Sequence, residues 1–210
     1  MIVVNLKNYK SGAKLLDLLK QIEIYYGKAV VAVPIVILKD AVESTTLDIF
    51  AQHVDFKEAG KSTGFVLPEQ IVEVGGKGAI LNHSEHRVKM SDIKKTLKRC
   101  SEVGLNVIVC ASNLKETKQI MAFEPYAIAF EDKKLISTGK SITEHRLNDL
   151  KKFVEMMKGS GIRALCGAGI SSGKDVGHAI SIGCDGVLVS SVVANTSNPE
   201  KFLKEVSELK

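Results

Sequence analysis

The sequence predicts an α/β fold, a compact (β/α)₈ barrel that forms one domain over residues 1–210. Short runs rich in Val and Ile recur along the chain, and they are apolar on both faces, as buried parallel strands are. Segments with the apolar spacing of amphipathic helices lie between most of these runs. Eight such units of about 26 residues each approach the length that a closed barrel needs.

The elements follow one another in a regular order. The predicted strands lie at residues 2–6, 29–33, 49–54, 79–81, 107–110, 127–130, 163–166 and 186–189. The predicted helices cover the apolar stripes at residues 15–22, 93–103 and 147–157, a short weak segment at residues 38–43, a segment that begins near Pro68, and residues 199–209. Asn198 followed by Pro199 is a typical start signal for the last helix.

An open doubly wound sheet is the competing architecture. That fold usually carries the pattern Gly-x-Gly-x-x-Gly directly after its first strand. Here residues 8–12 are Asn-Tyr-Lys-Ser-Gly, so the sequence favours the closed barrel.

Composition and charge narrow the function classes. The chain has 45% hydrophobic and 25% charged residues, which is ordinary for a soluble globular protein. A net charge of +5, spread along the chain, indicates a solvated basic surface or a cationic cleft for a small anion such as a phosphate ester. The absence of dense basic runs and of Trp argues against a nucleic-acid partner.

Cysteine spacing and hydropathy indicate the compartment. The four cysteines form no Cys-x-x-Cys pair, so neither a zinc site nor a redox motif is predicted. Cys110, Cys166 and Cys184 lie within or beside apolar runs and are expected to be small buried hydrophobes in a reducing compartment. The first apolar run is too short and is followed too early by polar residues to be a signal peptide. No apolar stretch approaches the length needed to span a membrane. We therefore expect a cytoplasmic protein without a membrane partner.

Polar residues stand where the predicted strands end, at the edge of a barrel where chemistry occurs. Because alternate strand residues share a face, Asn5 and Lys7 should both face the barrel axis. His83 follows the fourth strand, and Glu131 follows the sixth. Small-residue turns follow the last two strands, at residues 167–171 and 190–191.

These groups suit one kind of chemistry. Small-residue turns can present N–H groups to a phosphate, particularly where a helix starts behind them, as residues 171–175 suggest. The loop end at residues 136–140 has the same potential. A carboxylate base beside a neutral electrophile, a cation and a phosphate-binding turn suits proton abstraction next to a carbonyl. This chemistry needs no metal cluster, and the sequence shows none.

Five segments also stand in the order and roughly the spacing of one enzyme family. They are Asn5-Leu6-Lys7, Asn82-His83-Ser84-Glu85, Glu131 with Ile136-Ser137-Thr138-Gly139-Lys140, Cys166-Gly167-Ala168-Gly169-Ile170-Ser171, and Asp185-Gly186-Val187-Leu188-Val189. Along essentially its whole length the chain resembles triosephosphate isomerase in its short archaeal-type form. The resemblance implies a homo-oligomeric TIM barrel of glycolysis and gluconeogenesis. Such an aldose–ketose isomerase interconverts dihydroxyacetone phosphate and D-glyceraldehyde 3-phosphate through an enediol(ate), without a cofactor.

The resemblance also implies residue roles. Glu131 matches the catalytic base, His83 the electrophile, Lys7 the charge-stabilising lysine and Asn5 its neighbour. Glu85 is expected to pair with Lys7, and residues 84–87 to begin a short helix behind His83. The residues matching the phosphate-binding backbone are Ile136, Ser137, Gly167, Gly169, Ser190 and Ser191.

A subunit contact is implied as well. The loop at residues 56–64 matches the family's intersubunit loop, and Thr63 matches the residue that approaches the neighbour's active site. We therefore expect a homodimer or a homotetramer, with His53 near the interface. The remaining histidines, His86, His145 and His178, are expected to be structural or on the surface.

The chain departs from the family pattern in the lid after the base. Asp132, with Lys133 and Lys134 after it, stands where the family has Pro, which fixes φ and stiffens a hinge. Ser137 replaces a Gly, and its side chain restricts the backbone if that position needs φ > 0. Asp132 predicts a looser, more charged lid, and both changes predict altered lid kinetics and turnover rather than a different reaction.

Two other functions stay open. Another phosphate-binding barrel would share the glycine-rich turns, although not Asn-x-Lys on the first strand together with His-Ser-Glu after the fourth. A barrel that binds a phosphate ester without turnover would explain Asp132 and Ser137 as marks of decay, although it has no need of Asn5, Lys7, His83 and Glu131 together.

Overall fold

The structure, a computed structural model, describes residues 1–131 and 146–209. Its eight parallel strands pair in sequence order, and the last pairs with the first through Ile2 opposite Val187. The predicted closed barrel is confirmed. The strands are β1 (Ile2–Asn5), β2 (Val30–Val33), β3 (Asp48–Ala51), β4 (Gly78–Leu81), β5 (Asn106–Ala111), β6 (Ala127–Phe130), β7 (Arg163–Cys166) and β8 (Gly186–Val189).

Helices surround the barrel. They are α1 (Gly12–Tyr26), α2 (Leu38–Ser44), α3 (Pro68–Glu73), α4 (Met90–Glu102), α5 (Leu114–Met121), α6 (Leu147–Met157), α7 (Gly173–Ile182), α8 (Ser191–Ala194) and α9 (Pro199–Ser207). A short 3₁₀ helix covers Ile35–Ile37. Within the described ranges, each helix is too short or too polar to cross a membrane.

Two apolar layers hold the fold together. Alternate strand residues point outward and pack against the helices, where Leu15, Ile22, Phe153 and Leu203 are fully buried. The other residues of each strand point inward and fill the barrel. This explains why the strand sequences are apolar on both faces. The inward residues are Val3, Val30, Ala32, Phe50, Ile80, Ile108, Cys110, Ala127, Ala129, Leu165 and Leu188.

The structure corrects several predicted boundaries. The third strand ends at Ala51 rather than at residue 54, and the Gln52 side chain directly after it donates to the carbonyl of Lys7 (3.0 Å). The first strand ends at Asn5 because Lys7 adopts a positive φ of 45°. The fourth strand begins at Gly78, where a Cβ would lie 2.4 Å from the Phe50 ring.

The helix ends follow local capping. Asn198 accepts a hydrogen bond from Lys201 N and Pro199 occupies the first turn, so the predicted start of the last helix is confirmed. That helix ends at Ser207 rather than at Leu209, whose side chain is 43% exposed. All four cysteines are buried and free, which confirms the burial predicted for Cys110, Cys166 and Cys184.

Candidate active site

One pocket opens at the carboxyl ends of the strands. Strand alternation explains its lining, because Asn5, Glu131, Gly167 and Ser190 are the next inward residues after the apolar interior of β1, β6, β7 and β8. The predicted site residues that line this pocket are Asn5, Lys7, His83, Glu131, Gly167, Gly169, Ser190 and Ser191.

Lys7 is held at the rim of the pocket by its backbone and by a carboxylate. Its N–H donates to the Asn5 side chain (3.0 Å), which fixes the left-handed turn after β1. Its ammonium group donates to Glu85 Oε1 (2.6 Å), so the expected Lys7–Glu85 ion pair is present. The Lys7 side chain is only 10% exposed, and its charge therefore acts on the pocket rather than on bulk solvent.

His83 lies in a turn after β4. The expected short helix behind it is wrong, because the chain makes a single turn closed by His86 N to His83 O (2.8 Å) and then runs on to α4. The backbone N–H of Glu85 donates to His83 Nδ1 (3.2 Å). Since Nδ1 accepts this hydrogen bond, a neutral His83 ring carries its proton on Nε2. Nε2 is the ring nitrogen that lies near Glu131 Oε1.

The protonation of His83 follows from burial. Burial lowers the pKa of His83, opposed by the Glu85 charge and assisted by Lys7. The neutral imidazole is therefore the resting form near neutral pH. A neutral His83 can donate a hydrogen bond from Nε2 without delivering a full proton.

Glu131 is a buried carboxylate directly after β6, with 2% of its surface exposed. Burial raises its pKa to about 7, although a hydrogen bond from the Ser84 N–H, the Cys110 thiol and the charge of Lys7 each oppose that shift. Ser84 N lies 3.2 Å from Oε2, and His83 Nε2 lies 3.4 Å from Oε1. Because both shifts favour neutral forms, His83 and Glu131 are not an ion pair near neutral pH.

Cys110 supports Glu131 from the barrel interior. Burial raises the pKa of the Cys110 thiol well above its ordinary value, and the neighbouring Glu131 charge adds to this. The thiol therefore keeps its proton and donates to the carboxylate. A carboxylate with this pKa and these donors can accept a proton at neutral pH.

The turns after β7 and β8 form the other wall. Gly169 adopts a positive φ of 69°, which glycine alone adopts without strain. The Ser190 hydroxyl is buried and has no hydrogen-bond partner among the described residues. The predicted helix start at residues 171–175 is confirmed as a capping box, but the N–H groups of Ser171 and Ser172 donate to Asp175 at 2.9 and 3.0 Å. Those two donors are already satisfied.

The remaining site residues lie elsewhere. Thr63 is exposed on the loop at residues 56–64 and does not line the pocket of its own chain. Ile136, Ser137, His145 and the lid residues 132–134 lie outside the described residues. Within residues 1–131 and 146–209, no group of three His, Cys, Asp or Glu side chains could hold a metal ion.

Sequence analysis missed a polar network beside His83. Glu116, on the first turn of α5, contacts Asn82, Arg87 and Ser112. The sequence signal was limited to Asn113 followed three residues later by Glu116, which is typical of a helix start. That pattern predicts a cap but not a contact 34 residues away.

A closed barrel with a polar pocket at the carboxyl ends of its strands is typical of (β/α)₈-barrel enzymes. The family model for triosephosphate isomerase matches residues 1–207. The chain belongs to the triosephosphate isomerase family, and it is an isomerase.

Individual relatives agree with the family. The triosephosphate isomerase of Methanothermus fervidus is 38% identical and that of Methanocaldococcus jannaschii 34% identical; each alignment covers 98% of this chain and at least 96% of the relative. The crystal structure of triosephosphate isomerase from Bartonella henselae has the same fold, with a TM-score of 0.76 at 20% identity over 98% of this chain and 97% of that one.

Proposed function

We propose that this protein interconverts dihydroxyacetone phosphate and D-glyceraldehyde 3-phosphate. Glu131 removes the proton from the carbon next to the carbonyl, and the C–H electron pair becomes the double bond of an enediolate. Glu131, now protonated, returns the proton to the neighbouring carbon, which was the carbonyl carbon. The hydroxyl proton moves from the other oxygen to the former carbonyl oxygen, and the oxygen that loses it becomes the new carbonyl. Both protons come from the substrate, so the reaction needs no cofactor.

The Glu131 environment carries this proposal. A general base works best when its pKa lies near the working pH, and burial brings the pKa of Glu131 to about 7. The same carboxylate lies 3.4 Å from His83 Nε2. A substrate carbon and its carbonyl oxygen can therefore contact Glu131 and His83 together.

His83 and Lys7 take complementary roles in this proposal. The Nε2–H of neutral His83 donates to the carbonyl oxygen as negative charge develops on it. The ammonium group of Lys7, held by Glu85 at 2.6 Å, stabilises the same charge electrostatically. Asn5 holds the Lys7 backbone through their 3.0 Å hydrogen bond.

The substrate phosphate binds at the wall formed by the turns after β7 and β8. Gly167, Gly169, Ser190 and Ser191 all line the pocket, and the two glycines carry no side chain that would keep a ligand from the backbone. The unpartnered hydroxyl of Ser190 provides a donor that a phosphate oxygen can satisfy. Ile136 and Ser137 complete the phosphate site in this proposal.

We further propose that the protein is a homodimer or homotetramer built through the loop at residues 56–64. A groove beside the active site is lined by segments that follow the first four strands, including Asn8, Gln52 and His86. Ile35 lines that groove at 43% exposure, and Val36 and Phe65, each next in sequence to a residue that lines the groove, are 90% and 43% exposed. Apolar side chains grouped in this way are typical of a protein interface.

Thr63→Arg tests the oligomer. Placing a charge on the loop tip should yield monomers by light scattering and lower activity, while Ile24→Arg on the outer surface of α1 should change neither. A wild-type protein that is monomeric at micromolar concentration would contradict the oligomer but not the chemistry.

A coupled assay of the purified protein with glyceraldehyde 3-phosphate tests the reaction. We expect fast turnover in the wild type and a loss of about 10³- to 10⁴-fold in Glu131→Gln, which keeps the shape but cannot accept the proton. Turnover of only a larger phosphorylated sugar would identify another phosphate-binding barrel. Phosphate-ester binding without any turnover would identify a binding protein.

A further inference from the structure

Glu116 joins three segments at the edge of the active site. Its Oε2 accepts hydrogen bonds from Ser112 N (2.7 Å) and Ser112 Oγ (2.8 Å), next to the end of β5. Its Oε1 accepts from Asn82 Nδ2 (3.1 Å) and from the Arg87 guanidinium. The side chain is 11% exposed, so these bonds replace most of its contact with water.

Asn82 connects this carboxylate to the His83 turn. It is 1% exposed and adopts a φ of 62°, a left-handed conformation that asparagine tolerates better than most residues other than glycine. Its Nδ2 donates to the carbonyl of Cys110 (2.8 Å) as well as to Glu116, and its Oδ1 accepts from Val88 N (2.9 Å). The amide is thus fully occupied in one orientation.

Arg87 lies five residues after Asn82 and contacts both Asn82 and Glu116. One guanidinium nitrogen donates to the Asn82 carbonyl (3.2 Å), and the other contacts Glu116. Residues 82 and 88 are therefore tied together across a loop whose middle carries His83 and Ser84. We call residues 82–88 the His83 loop.

The His83 loop places two groups on Glu131. They are the Ser84 N–H, 3.2 Å from Oε2, and His83 Nε2, 3.4 Å from Oε1. The Glu85 N–H that fixes the His83 tautomer belongs to the same loop. A small displacement of the loop would therefore move the electrophile relative to the base.

We propose that Glu116 is a positioning residue for the reaction, which holds the His83 loop in register with Glu131 through Asn82 and Arg87. This inference rests on the proposed function. Glu116 does not line the substrate pocket, so it should not affect substrate binding. Misplacing reacting groups by about 1 Å lowers rates by about 100-fold. The expected signature is a lower kcat with an unchanged KM.

Three variants separate positioning from folding. We expect Glu116→Ala to lower kcat by about 10- to 100-fold, with KM and the dissociation constant of glycerol 3-phosphate within about two-fold. Glu116→Gln keeps the shape but meets Arg87 with a neutral amide, so its loss should be intermediate. Glu69→Ala is the matched control, because Glu69 also stands on a first helical turn and pairs with an arginine, Arg99 of α4. It should leave kcat unchanged.

A readout independent of turnover is the tautomer of His83. ¹⁵N NMR of the imidazole should show the Nε2–H form in the wild type and a mixture of forms in Glu116→Ala, with His83→Gln assigning the signal. A wild type without isomerase activity but with this tautomer shift would overturn the proposed function and leave the positioning intact. An active wild type with unchanged kcat and tautomer in Glu116→Ala would overturn the positioning role.

A double-mutant cycle tests the route of the effect. Asn82→Gly keeps the left-handed backbone accessible but removes the side-chain bonds. If Glu116 acts through Asn82, Glu116→Ala should lower kcat much less in the Asn82→Gly background than in the wild type. Fully additive losses would overturn this route.

Discussion

The amino end of the barrel and its carboxyl end are built in opposite ways. At the amino end Phe50 fills the interior, with its ring centroid 6.4 Å from that of Tyr126, and Arg163 covers Tyr126 at 4.3 Å. At the carboxyl end the next inward residues are polar, and Lys7 and Asn82 adopt left-handed backbone conformations. Glu124, another described residue other than glycine with a left-handed backbone, lies in an exposed turn near the amino end.

The two ends differ in what they contribute. Apolar burial at the amino end and in the interior stabilises the fold, whereas burying Glu131 at the carboxyl end opposes folding when the group is ionised. Substitutions at the amino end should therefore change mainly the stability of the fold, and substitutions at the carboxyl end mainly its activity.

Phe50→Ala should have the largest effect on stability. Removing a fully packed aromatic side chain from the interior leaves a cavity beside Gly78 and lowers the free energy of unfolding by about 3–5 kcal/mol. The folded fraction should keep its kcat, because Phe50 does not line the pocket. Urea unfolding and an assay at low temperature measure both quantities. Ile24→Ala, 75% exposed on α1, should change neither, and a kcat loss in folded Phe50→Ala would contradict the division.

Glu131→Gln should become more stable than the wild type as the pH rises, because the wild type loses stability. The folded-state pKa of Glu131 is raised to about 7, so the stability linked to this group is full below its unfolded pKa and is lost as pH rises through 7. The difference between Glu131→Gln and wild type should therefore grow in favour of the variant between pH 4.5 and 8, by about 2–4 kcal/mol.

Glu116→Gln is the control for this prediction, because the pH dependence of stability linked to Glu116 has the opposite sign. Burial alone would raise the pKa of Glu116, but hydrogen bonds from Ser112 and Asn82 and the charge of Arg87 lower it overall. Its contribution is present above the unfolded pKa and is lost as pH falls. The variant should thus be less stable than wild type at pH 7, with the gap narrowing at low pH. Chemical unfolding across the pH series measures both; parallel curves would refute the assigned shifts.

Gly167→Ala should have a smaller effect on stability and should act mainly on the active site. A Cβ at this position would lie 2.9 Å from Glu131 Cγ and 3.2 Å from the Phe130 carbonyl. The base must shift, and kcat should fall by about 10- to 100-fold. Gly177→Ala adds a methyl group at an ordinary 3.8 Å from Leu209 and should keep full activity. Equal kcat values for the two variants would show that the position of Glu131 tolerates this change.

Sequence patterns predicted the barrel because each strand is apolar on both faces. They also predicted which polar residues share the pocket, since strand ends and alternation bring Asn5, Glu131 and Ser190 together. They failed at the helix expected after His83. There the Ser84 N–H donates to Glu131, 47 residues away, and not within a new helix. The role of Asn82 and Glu116 depends on similar contacts between distant segments, which local patterns do not contain.

The closure of β8 onto β1 has a consequence for how the chain is made. Until β8 is synthesised, the strand at Ile2 has a free edge, because its second neighbour lies at Val187. A free edge can pair with other chains, and a pairing of such long sequence separation forms slowly. The ring can therefore close only after β8 has left the ribosome, so the full set of strand pairings is a late event in the life of the chain.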